Sequence, residues 1–80
     1  MTEYELKPKS EQNQISFYGK AQVVEENGAR TLYSYDTKIM TIKNGRMFRH
    51  YDDWTQTTGK HVFAFSGLRK GDFFKLPLVD

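Results

Sequence analysis

The side chains with the greatest chemical reach fall in one short run, Trp54-Thr55-Gln56-Thr57-Thr58-Gly59-Lys60-His61. Hydroxyls ahead of a helix cap its open N–H groups, and a lysine and a histidine in the first turn add positive charge beside them. That combination suits a phosphate or a carboxylate. It is not a P-loop, because the first glycine and the Ser/Thr after the lysine are absent. A second set joins His50 and His61 to Asp36, Asp52 and Asp53, the residue types of a metal or acid/base site. None of these shows a metal-ligand spacing, so they read as turn carboxylates and one half-buried histidine. Ser34 and Ser66 have no nucleophile elbow around them. No catalytic residue, metal ligand or cofactor is therefore expected, and the chain is not expected to be an enzyme.

A third set interleaves basic and aromatic residues: Arg46, Phe48, Arg49, His50 and Tyr51, then Lys60, His61, Arg69, Lys70, Phe74 and Lys75. Arginine and lysine neutralise phosphates while aromatic rings stack on bases, so Arg46, Arg49, Lys60, His61, Arg69 and Lys70 are the candidate anion or nucleic-acid contacts. In a strand, however, Arg46 and His50 face away from Arg49, so no single face collects the positive charge. The tyrosines form a fourth set. Tyr18, Tyr33, Tyr35 and Tyr51 are candidate anchors for a protein partner on a sheet face left uncovered by a helix.

Eighty residues with a formal charge of +2 leave room for one small domain. There is no cysteine, so no disulfide framework or thiolate zinc site supports it. The core must come from packing, fed by six Phe, five Tyr and one Trp. Charge is uneven: residues 1–37 carry four basic and six acidic side chains, residues 38–80 eight basic and four acidic. An anionic partner would be sought on the second half, although the excess is small for a dedicated nucleic-acid binder. The N-terminus lacks an apolar h-region and no window approaches a spanning helix, so a cytoplasmic protein without membrane contact is expected.

The elements follow from periodicity. Residues 1–13 are polar, contain Pro8 and alternate only at Tyr4 and Leu6, which reads as a flexible N-terminal arm or a short edge strand. A single α+β domain then covers 14–80. Ile15, Phe17, Ala21 and Val23 share the apolar face of a first strand, and Asn27-Gly28 supplies a type I′ hairpin turn. A long second strand runs from Arg30 to Ile42, with a break or bulge at Asp36. Asn44-Gly45 turns it into a third strand, Arg46 to Tyr51. A helix over roughly 57–67, ended by Gly67 or Gly71, covers one face. The expected architecture is thus a three-stranded antiparallel meander packed on one C-terminal helix. The apolar tail, Phe73 to Val79, adds an edge strand limited by Pro77.

Ser34, Tyr35 and Thr37, followed by a hairpin and then Trp54, Thr57, Thr58, Lys60 and His61, make a pattern of Ser-Tyr-x-Thr and Trp-x-x-Thr-Thr-x-Lys/Arg-His. It resembles small phage and mobile-element proteins of unknown function. The resemblance spans Tyr33 to Phe65, with Lys60 where arginine is expected. It implies a phage-type accessory protein in a bacterial cytoplasm. Such proteins act by binding, so the expected function is a non-enzymatic module that binds or inhibits a host protein. Binding of DNA or RNA through the basic second half is the alternative, and a homodimer paired through the apolar tail is a third reading.

Overall fold

The computed structural model describes residues 2–6 and 21–79. Among these described residues five antiparallel strands follow one another in sequence order: β1 (Thr2–Glu5), β2 (Ala21–Glu26), β3 (Ala29–Ser34), β4 (Thr37–Lys43) and β5 (Arg46–Arg49). Two helices close the chain, α1 (Gln56–Ser66) and the four-residue α2 (Lys70–Phe73). The α+β class and the meander stand, but the sheet has five strands where three were expected. One extra strand is β1, which pairs Tyr4 with Val23. The other arises because the long second strand is two strands joined at Tyr35-Asp36. Of the expected first strand, Ile15 to Lys20 lie outside the described residues.

Asn27-Gly28 and Asn44-Gly45 both adopt positive φ at each position, as a type I′ turn requires. The third hairpin reaches the same conformation at its first loop residue with Tyr35, at φ 57°. Period-two alternation then sends Ala21, Val23, Leu32 and Ser34 to the inner face, where all four are buried. A bulge between β3 and β4 shifts the register after Leu32↔Met40 to Tyr33↔Lys38. That shift lets two consecutive residues, Ile39 and Met40, both enter the core, which a regular strand would forbid.

Helix α1 lies over this face and contributes His61 and Val62, both buried. Thr55 caps it, its Oγ1 accepting from Thr58 N at 3.0 Å, and Gly67 ends it at φ 79°. The tail departs from the expected edge strand. It first turns through α2 to bury Phe73, then meets β5 at a single parallel bridge between Arg49 and Leu78. Arg49 N donates to Pro77 O and Val79 N donates to Arg49 O, each at 2.9 Å. The backbone of Arg49 is thus engaged within the chain. No described helix is long and apolar enough to cross a membrane.

Candidate functional site

The sheet registers sort the candidate residues by face. Opposite the core, Glu3, Val24, Thr31, Thr41 and Phe48 form one row across all five strands. Glu5, Gln22 and Tyr33 form the next. A shallow groove of about 370 Å³ runs over this open face, with Tyr33 and Tyr35 beside Glu3, Glu26 and Asp36. Tyr35 stands at its end, 56% exposed on the β3–β4 turn. Tyr33 is half-buried. The site is thus an aromatic pair within a carboxylate rim, a surrounding that attracts a cation and lets it lie against a ring face.

Tyr51 is elsewhere. It packs against the core cluster, as Trp54 and Leu76 also do. Tyr18 lies outside the described residues. The six basic candidates divide between several places. Arg49 points to the core side of β5, where its guanidinium lies 5.2 Å from the Phe74 ring centre and donates to Leu76 O and to Asp52. His61 is buried, with Ser34 Oγ 2.8 Å from its Nδ1. Neither presents its charge-bearing group to an anion. Arg46 stands on the open face near Lys43 and Phe48. Only Lys60, Arg69 and Lys70 come together, around a groove beside α1.

The histidines do structural work. His50 Nδ1 lies 3.0 Å from Val79 O, and because a carbonyl only accepts, the ring nitrogen donates. In the neutral ring Nε2 then accepts from Thr41 at 2.8 Å, and Thr41 accepts from Thr31 at 2.9 Å. This chain ties the C-terminal tail to β4 and β3 through the residue that follows β5. Ser34 and His61 tie β3 to α1 in the same way. Among the described residues no group of three or more His, Cys, Asp or Glu is placed to hold a metal ion.

Trp54 explains Gly59. A β-carbon at Gly59 would stand 2.6 Å from Trp54 Cζ2, so the indole lies across a helix turn with no side chain beneath it. The ring is held on its other flank by Phe73 and Phe74, with centroids 5.3 and 6.2 Å away. Alanine at this position gains about 1 kcal/mol of helix propensity, but displacing a braced indole costs about 1–3 kcal/mol. Gly59→Ala is therefore expected to lower stability by about 1 kcal/mol and to shift Trp54 emission. Urea unfolding followed by that emission checks this, and a variant as stable as the parent would contradict it.

A family model matches residues 4–73, which span every strand and both helices in whole or part. The chain belongs to DUF8033, a family of unknown function. No curated protein and no solved structure matches it. The DUF8033 match takes in the lining of the tyrosine groove except Glu3, and the whole run from Trp54 to His61. Sequence reasoning missed Glu3 and Glu26 as neighbours of the tyrosines, since only the β1–β2 and β2–β3 registers bring them there. It also missed Phe63, whose position four residues after Gly59 on the helix was the available signal.

Proposed function

We propose that this protein is a non-enzymatic binding module that engages a protein partner through Tyr35 and Tyr33. The observation that carries this reading is the backbone of Tyr35. Three hairpins place their first loop residue at φ 53–57°, and two of them use asparagine, the residue that tolerates this conformation best after glycine. The third uses a large aromatic residue and leaves it 56% exposed. A strained residue kept where a simpler one would serve the fold points to a role outside the fold. Tyrosine is also a preferred anchor of protein interfaces.

The carboxylates around the groove define the partner further: it presents a lysine or arginine side chain that lies against the tyrosine rings. The dispersal of Arg46, Arg49, Lys60 and His61 over separate surfaces favours a protein over a nucleic acid as that partner. With the resemblance to phage and mobile-element proteins, the role we assign is that of an accessory protein acting in a bacterial cytoplasm, binding or inhibiting a host protein. Capture from bacterial lysate should then depend on the rim charges. Glu26→Lys with Asp36→Lys is expected to reduce the captured protein about tenfold, with the parent's capture falling as salt rises. Undiminished capture by the reversed-charge variant would sink this reading.

A further inference from the structure

A second groove, lined by charge of the opposite sign, lies between the start of α1 and the α1–α2 connection. It encloses about 410 Å³ over Trp54, Phe63 and Leu68, with Lys60, Arg69 and Lys70 around it. Among the described residues no carboxylate lines it. Its floor is fixed in advance. Trp54 is wedged between Gly59 and the Phe73–Phe74 pair, and the Arg69 guanidinium lies 4.9 Å from the Phe63 ring centre. Side chains already ordered before binding lose little entropy on contact. We infer that this groove seats an acidic segment of a partner protein, an aromatic or aliphatic side chain entering against Trp54 and Phe63 while flanking Asp or Glu residues meet Arg69 and Lys70.

The groove combines positive charge with an apolar floor. A cationic surface alone would suit any polyanion, but a nucleic-acid strand needs a track of successive phosphate contacts. The basic residues do not extend the groove into such a track. Arg49 is engaged with Asp52 and Leu76, and Arg46 stands on the far end of the open sheet face. A peptide that offers one apolar anchor and two or three carboxylates matches the dimensions and the charge. Among the described residues this surface shares no lining with the tyrosine groove, whose rim is acidic, so the two are tested separately.

The single tryptophan of the chain is the reporter. A synthetic peptide with a central Phe flanked by Glu residues is titrated against the full chain while Trp54 emission is followed. The same peptide with Lys for Glu, and a short single-stranded oligonucleotide, serve as the other arms. A saturable emission change is expected with the acidic peptide, and Arg69→Glu with Lys70→Glu should weaken it about tenfold or more. Both residues are exposed, so the variant should keep the parent's circular dichroism. Should it fail to fold, Lys70→Ala, with a several-fold loss of affinity, gives the same reading. The proposal is overturned by no response to the acidic peptide, by an equal response to the lysine peptide, by undiminished binding in the folded variant, or by tighter binding of the oligonucleotide. Glu26→Lys with Asp36→Lys should leave this titration unchanged whether or not the tyrosine groove binds its own partner.

Discussion

Tyr35→Asn is expected to stabilise the domain by about 1 kcal/mol while weakening capture of its protein partner by roughly thirtyfold, about 2 kcal/mol of binding. The two effects have opposite signs because they come from different parts of the residue. Holding a non-glycine residue in the left-handed region costs about 1–2 kcal/mol, least for Asn and Gly. Against this stands the contact of the Tyr35 ring with His61, at 6.5 Å between centroids. A half-exposed, tilted ring pair is worth about 0.5 kcal/mol, so relief of strain wins. Asn27 and Asn44 hold the same conformation in the neighbouring hairpins, so the substituted turn has a precedent within the chain. Denaturant unfolding reads the gain. A variant less stable than the parent would show that the tyrosine is kept for packing on His61.

Phe73→Ala is expected to cost about 3–5 kcal/mol. A domain of this length has a total stability of only about 4–12 kcal/mol, so the variant should be substantially unfolded at moderate temperature. Phe73 is completely buried and is the largest such side chain among the described residues. It joins the end of the chain to the core cluster of Val23, Leu32, Ile39, Met40 and Val62 and supports Trp54 at 5.3 Å. Its loss would open a cavity that four-residue α2 is too short to close by itself. Phe74→Ala, at a half-buried position, should cost about half as much. Thermal unfolding by circular dichroism separates them, and equal midpoints for Phe73→Ala and the parent would contradict the placement of the tail in the core.

The sequence made some of this legible and concealed the rest for local reasons. Asn27-Gly28 and Asn44-Gly45 announce their hairpins because the dipeptide itself prefers positive φ. Tyr35-Asp36 carries no such signal, so β3 and β4 read as one long strand, whose strict alternation would put Tyr33, Tyr35, Thr37 and Ile39 on one face. The turn and the bulge after Leu32 break that alternation. Consecutive Ile39 and Met40 were the trace of the bulge, since a regular strand cannot bury both. Strand β1 depends on pairing with β2 across residues 7–20, a long-range contact that local pattern leaves open between arm and strand. The α1 boundaries were readable to within a residue from the Thr55 region and Gly67, whereas α2 is too short for any periodicity.

The site divides similarly. Lys60, Arg69 and Lys70 line one groove, which their spacing in sequence does not announce, and His61 faces inward because its helix turn also carries Val62 to the core. Arg49 is turned to the core side by strand parity and is used there by Asp52 and Leu76 O. Of the residues that carried the resemblance, Ser34, Trp54, Thr58 and His61 fasten α1 to β3 and to the loop before it. Tyr35 and Thr37, in the same pattern, face solvent, and Tyr35 is the large aromatic one of the two.

That contrast makes Tyr35 the residue on which the account rests. The most direct measurement is quantitative capture from bacterial lysate by the parent and by Tyr35→Asn, both shown folded. The account predicts that a protein retained by the parent is lost from the stabilised variant. Retention of the same protein in the same amount by both would contradict it.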